Sequence, residues 1–271
     1  MTNLIPAWAC DVFSSHTVMV DGQPVPALTG GSGPDLVLVH GVSGSLNMWR
    51  WNAPELARHF RVTMVGLPGP RALQQLRHIT RMQNYARWLM EFTQAAGLAP
   101  ASIAGLSMGG EVALRLASEY ASCVNRLILI TPAALVPGIS LFGWVAVGLR
   151  VLFEIPPALI PPVLWYTRWS DIYTMVNANV RMIDPELSTG LASIKAETLV
   201  FASNNDPLLP LDLAETYLDR IPSARLAVMP DAGHLVMMSR PELFNQRVRE
   251  FLSEPARVQT DLPSATSVSP V

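Results

Sequence analysis

The chain has 271 residues, of which 50% are hydrophobic and only 15% charged, and its mean hydropathy is +0.29. A net charge of -2, with no basic run interleaved with aromatics, offers nothing to attract a nucleic acid and excludes that partner class. Cys10 and Cys123 lie far apart, with no second cysteine or nearby histidine at metal-ligand spacing, so free thiols and no metal site are expected.

The first ten residues lack the basic and apolar regions of a secretory signal, which with the lone cysteines predicts a cytoplasmic protein. Residues 16–20 and 24–29 alternate around Asp21-Gly22, a strong hairpin signal, and predict an antiparallel edge. After a loop at 30–34, residues 35–39 read Asp-Leu-Val-Leu-Val, as in a parallel strand buried on both faces. His40-Gly41-Val42-Ser43-Gly44 follows at once. A helix over 49–59, a strand over 61–65 and the turn Gly66-Leu67-Pro68-Gly69-Pro70-Arg71 come next. Tyr85, Trp88, Leu89 and Phe92 then mark one apolar face of a helix over about 80–97.

Residues 101–104 are small and apolar, as a buried strand requires, and lead into Gly105-Leu106-Ser107-Met108-Gly109-Gly110. Val112, Ala113, Leu116 and Ala117 recur at helical spacing over 111–120, and 124–130 is another buried strand. The alternation then stops. Residues 133–191 hold Pro137, Pro156, Pro157, Pro161 and Pro162, with Trp144, Phe153, Trp165, Tyr166 and Trp169 among short helical runs, and predict a helical cap. Within it, 139–151 carries Arg150 as its single charge, yet Pro137, Gly138, Gly143 and Gly148 interrupt any membrane span. The expectation is a cap helix whose aromatics line an apolar pocket; weak association with a membrane surface stays open. Strands at 198–202 and 225–229 and a helix at 241–252 complete one domain over 1–254, and the Ser-, Thr- and Pro-rich residues 255–271 predict a disordered tail. Nothing in the sequence sets an oligomeric state.

Ser107 stands between the strand and the helix, with glycines two residues away on each side. A serine turned that sharply needs a strained backbone, and no Cβ fits at Gly105 or Gly109. The turn presents the hydroxyl at the carboxyl end of the sheet, and the Met108 amide, at the helix start, points to where an oxyanion forms. A hydroxyl becomes a nucleophile only when a base takes its proton, and the base needs a third group to hold its tautomer. His234 lies in Asp231-Ala232-Gly233-His234-Leu235, between the last strand and last helix, whereas His16, His59 and His78 read as surface residues. Asp206, in Asn204-Asn205-Asp206-Pro207, is the acid best placed; it also suits an Asp-Pro turn or helix cap. Its rival, Asp231, is too close in sequence to reach the far ring edge with ease.

Gly105-x-Ser107-x-Gly109 in this context resembles the nucleophile elbow of the α/β-hydrolase family, and the likeness extends over about 17–252. The resemblance implies an α/β fold with a mostly parallel eight-stranded sheet flanked by helices and a helical cap inserted after the sixth strand. It implies a Ser107, Asp206, His234 triad in that chain order, oxyanion amides from Val42 and Met108, and structural roles at the site for His40, Gly41, Gly105 and Gly109. No metal or organic cofactor is implied. The segment 66–71 departs from the family, which usually shows an acidic residue and a G-x-G-x-S turn there. Serine at the nucleophile position sets aside epoxide and halide chemistry, which uses aspartate. Carbon-carbon bond hydrolases typically carry Asn before the serine and Trp after the histidine, where this chain has Leu106 and Leu235. Enol-lactone hydrolases and perhydrolases share the Ser-Met-Gly-Gly run. The first expectation is a serine hydrolase of a small apolar carboxylic ester; a lactonase, a carbon-carbon bond hydrolase and a ligand-binding member without turnover are the alternatives.

Overall fold

The computed structural model describes residues 6–42, 45–68, 82–135, 141–155 and 190–255. Eight strands form one sheet: β1 (Phe13–Val20), β2 (Gln23–Gly30), β3 (Asp35–Val39), β4 (Arg61–Val65), β5 (Ala101–Leu106), β6 (Val124–Ile130), β7 (Glu197–Ser203) and β8 (Ala224–Met229). Their spatial order is β1-β2-β4-β3-β5-β6-β7-β8. β2 pairs antiparallel with β1 and β4, and the other pairings are parallel. The described α-helices are α1 (Ala53–Leu56), α2 (Met82–Ala95), α3 (Met108–Glu119), α4 (Leu141–Glu154), α5 (Leu211–Arg220), α6 (Val236–Ser239) and α7 (Pro241–Ser253).

The continuous apolar runs of the central strands follow from burial on both faces. Val37 and Val39, Leu127 and Leu129, and Val200 and Ala202 share one core with Leu89, Phe92, Val112, Leu116 and Tyr217 from α2, α3 and α5. Their sequence neighbours Leu36, Leu38, Ile128, Ile130 and Phe201 turn to a second core with Trp49, Leu56, Phe244 and Phe251. Phe201 and Phe244 meet there with ring centroids 4.8 Å apart. Each such side chain removed from water contributes about 1.5–3 kcal/mol, which is why strand order and register are set by two covers rather than one.

Pro24 and Pro26 sit inside β2, where a missing N–H would ordinarily break a ladder. β4 pairs only with Ala27 to Gly30, so the prolines occupy the part of β2 that has β1 alone as a neighbour. The expected helix over 49–59 is not continuous: a 3-10 turn spans Leu46–Trp49 and α1 only Ala53–Leu56. Pro54 lies at the start of α1, and its ring would collide with the carbonyl four residues earlier in a longer helix. Asn52 just before it turns its amide into the core, donating to Met237 O at 2.9 Å and Asn245 Oδ1 at 3.0 Å.

α4 follows β6, as the expected cap requires, while residues 136–140 and 156–189 of that cap lie outside the described residues. The expected tail lies outside them from residue 256, and so do 69–81 of the loop and helix start after β4. No helix among the described residues is long and apolar enough to cross a membrane.

Candidate active site

Ser107 opens α3, which begins at Met108, the expected helix start, and carries Gly109 and Gly110 inside its first turn ahead of the apolar spacing over 111–120. Two glycines are poor helix formers, so the apolar spacing marks the helix only from 111; the turn that aims Ser107 imposes the earlier start. Ser107 adopts φ +51, a left-handed conformation that a residue with a side chain occupies only under constraint. The constraint is visible. The Ser107 amide donates to Ile130 O at 2.9 Å, while its carbonyl accepts from Glu111 N at 3.1 Å and Ala133 N at 3.3 Å. A Cβ on Gly105 would overlap the Gly109 carbonyl, and one on Gly109 would lie 2.6 Å from Val39 O. Ser107 is only 8% exposed, so the elbow is covered and does not face open solvent.

The His40-Gly41 turn passes against this elbow: a Cβ on Gly41 would lie 3.2 Å from Leu106 O and 3.3 Å from Ser107 Cβ. Val42 is the next residue. His40 has both ring nitrogens on loop backbone, with Nε2 accepting from Leu67 N at 3.0 Å and Nδ1 2.7 Å from Gly41 O. An accepting Nε2 leaves the hydrogen on Nδ1, so His40 donates to Gly41 O as a neutral tautomer. The side chain thereby ties the turn after β3 to the turn after β4, where the chain departs from the family pattern.

Asp206 follows β7 and His234 follows β8, and the two meet: His234 Nδ1 lies 3.0 Å from Asp206 Oδ2 and 3.1 Å from Oδ1. Both are buried, at 5% and 4% exposure. Asp206 Oδ1 also accepts from Leu208 N at 2.7 Å, so the residue closes its own turn as well. Burial pushes the Asp206 carboxyl up, but the charge and hydrogen bond of His234, with the Leu208 and Leu209 amides, outweigh it and hold the group below its ordinary range. Asp231 is turned elsewhere; its Oδ2 pairs with Arg240 at 3.0 Å on the surface. His16 and His59 are exposed, and His78 lies outside the described residues.

Three residues that sequence reasoning missed grip the backbone around His234. Thr131, fully buried at the end of β6, donates Oγ1 to His234 O at 2.9 Å. Ser203, the last residue of β7, donates Oγ to Gly233 O at 2.9 Å. Glu154, the last residue of α4, accepts from Leu235 N at 2.8 Å. The available signal was positional: a hydroxyl residue ending a buried parallel strand has loop carbonyls within reach. Ser107 and His234 are joined through β6, since Ile130 O takes the Ser107 amide and the next residue, Thr131, holds His234.

Of the aromatics expected in an apolar pocket, Phe153 is 89% exposed, so it stands at the surface and not in an enclosed lining. Trp165 and Trp169, and the side chain of Trp144, lie outside the described residues. Among the described residues no group of His, Cys, Asp and Glu is arranged to hold a metal ion.

A model of the alpha/beta hydrolase family matches residues 36–247. The chain is 30% identical over 248 residues to the dihydrolipoyllysine-residue acetyltransferase component of an acetoin cleaving system from Pseudomonas putida; the match takes in 83% of this chain but spans only 65% of that relative. It is 27% identical over 256 residues to a 2-hydroxy-6-oxo-6-phenylhexa-2,4-dienoate hydrolase of Burkholderia cepacia, covering 82% of this chain and 89% of the relative. It is 25% identical over 243 residues to carboxylesterase YbfK of Bacillus subtilis, covering 81% and 80%. The crystal structure of YbfK superposes with a TM-score of 0.73 over 89% of this chain and 92% of that one, at 22% identity in the superposition.

Proposed function

Because the chain belongs to the alpha/beta hydrolase family, we propose that it is a hydrolase that cleaves a carboxylic ester of an apolar acid through a serine acyl-enzyme. The observation that carries this is the buried Asp206 carboxylate on His234 Nδ1, at 3.0 and 3.1 Å. A carboxylate below its ordinary pKa is an acceptor only, so it keeps the hydrogen on Nδ1 and leaves Nε2 as the basic edge. In the proposed reaction His234 takes the Ser107 proton and Ser107 Oγ attacks the ester carbonyl. The oxyanion rests on the Val42 and Met108 amides, each worth roughly 3 kcal/mol in kcat. His234 then gives its proton to the leaving alcohol, and a water deprotonated by the same ring attacks the acyl carbon, releasing the acid and Ser107. The chemistry asks for no metal or organic cofactor.

The likeness to YbfK supports an ester, while the Burkholderia relative is named for a dienoate substrate. Leu106 and Leu235, where carbon-carbon bond hydrolases typically carry Asn and Trp, favour the ester. We take 1–254 as one hydrolase domain with 133–191 as its cap; free Cys10 and Cys123 fit a reducing cytoplasm. The test is a fluorophosphonate probe with intact-mass readout, followed by p-nitrophenyl, lactone and dienoate substrates. Stoichiometric labelling of Ser107 with turnover of simple esters is the expected result. An unlabelled, folded protein would favour a ligand-binding member, and turnover of the dienoate alone would move the substrate to a carbon-carbon bond.

A further inference from the structure

The loop that carries His234 is gripped at three consecutive residues, each from a different element. Two of the grips belong to the sheet: Ser203 on Gly233 O and Thr131 on His234 O. The third does not. Glu154 ends α4, in the segment inserted between β6 and β7, and its Oε2 accepts from the Leu235 amide at 2.8 Å across 81 residues of sequence. Its carboxylate also fills the space beside Gly233, where a Cβ would overlap it. One side chain from the insert therefore embraces the residues on both sides of the imidazole.

Two further facts bear on this contact. Ile155, immediately after Glu154, is 8% exposed and lies in the same apolar core as Leu235 and Val236. Earlier on the helix, Leu149 and Phe153 are 54% and 89% exposed. α4 is thus fastened to the body at its carboxyl end, beside His234.

We propose that Glu154 is a positioning residue that couples the seating of the inserted segment to the placement of His234. With α4 seated, the carboxylate holds the Leu235 amide and fixes the peptide on which the imidazole stands; with α4 displaced, that amide loses its partner and the ring loses one of its three backbone restraints. The function is a check on assembly: proton transfer from Ser107 is efficient only when the carboxyl end of α4 is docked beside His234. This rests on His234 as the general base of the proposed hydrolase, and the test separates the two.

Gly233→Ala provides an independent way to expel the carboxylate, because Gly233 is not among the positive-φ glycines and the three atoms nearest the added methyl all belong to the Glu154 carboxyl group, the far end of a flexible side chain. Wild type, Glu154→Ala, Glu154→Gln, Gly233→Ala and the double variant Glu154→Ala/Gly233→Ala are compared for kcat, KM and fluorophosphonate labelling rate, well below every melting temperature. Glu154→Ala and Gly233→Ala should each lower kcat and the labelling rate about 10- to 100-fold with little change in KM, the scale of a small misplacement of a catalytic group. Glu154→Gln keeps an acceptor oxygen and should recover most of the rate. In the Glu154→Ala background, Gly233→Ala should cost nothing further. A merely structural role would lower the melting temperature and leave kcat of the folded enzyme unchanged. If Glu154→Ala does not fold, Gly233→Ala and Glu154→Gln still decide. Wild-type rates in both single alanine variants, or additive losses in the double variant, overturn the proposal while leaving the hydrolase intact; a wild-type protein that does not label overturns the hydrolase itself.

Discussion

The hydroxyl of Thr131 donates to the backbone carbonyl of His234 at 2.9 Å, joining the end of β6 to the loop that carries the imidazole. Thr131 is fully buried and adopts φ +42, so its placement is constrained and its donor has no access to water. Thr131→Val keeps the shape and removes the donor, leaving a buried carbonyl short of a partner. Urea denaturation should show a loss of about 1–3 kcal/mol. kcat should fall as well; an unchanged kcat at reduced stability would confine Thr131 to the fold.

Ser107→Ala should abolish ester turnover by on the order of 10⁴ in kcat with a nearly unchanged melt. The expectation of an unchanged melt comes from the elbow's backbone: its ties to Ile130, Glu111 and Ala133 all survive the substitution. Turnover above about a hundredth of wild type would rule out the serine mechanism.

The two aspartates of the His234 region should separate cleanly. Asp206→Asn keeps the shape but can present an amide to Nδ1 and so favours the wrong tautomer, costing roughly 10³ to 10⁴ in kcat. Asp231→Asn disturbs only a surface pair with Arg240 and should cost less than about tenfold. Steady-state kinetics on one p-nitrophenyl ester checks both, and the reverse ordering would transfer the acid's role to Asp231.

Asp206 also sets a pH dependence of stability. Its carboxyl is held below the ordinary value of 3.8, so its contribution is complete above that value and is lost as pH falls through the lower, folded one. Wild type should therefore lose stability more steeply than Asp206→Asn as pH falls below the ordinary value of 3.8, as read from urea midpoints. Parallel curves would show that the folded protein does not depress this group.

An apolar acyl site predicts that kcat/KM rises along a series of p-nitrophenyl esters by up to about 0.8 kcal/mol, or fourfold, per methylene until the site is full. Decline from acetate onward would remove the apolar acyl chain from the proposed function.

Leu127 to Ile130 and Leu199 to Phe201 were legible in the sequence because a strand covered on both faces has no polar phase to hide it. Gly105, Ser107 and Gly109 were legible because the turn tolerates so few residue types. Residues 49–59 were misread as one helix because apolar spacing outweighed the break that Pro54 imposes. Thr131 and Ser203 left no trace beyond their position at a strand end, and Glu154 none, since their partners are backbone groups 103, 30 and 81 residues away. A hydroxyl that spans such a distance looks, in one dimension, like any other threonine or serine.

The elbow's hydrogen bonds to the neighbouring strand and the residues beyond it also order events in time. Ser107 N reaches Ile130 O and Ser107 O receives Ala133 N, so its left-handed turn has only the local tie from Glu111 N until β6 lies beside β5. A nascent strand-turn-helix unit emerging alone would relax to an ordinary conformation, with its hydroxyl unaimed and the backbone strain released. During refolding, fluorophosphonate-reactive chains should therefore appear no earlier than β5–β6 pairing, and after the helix signal, because helices form from local contacts while this pairing closes a longer loop. Pulse labelling alongside stopped-flow circular dichroism would resolve the delay as a population that is helical but still chemically silent.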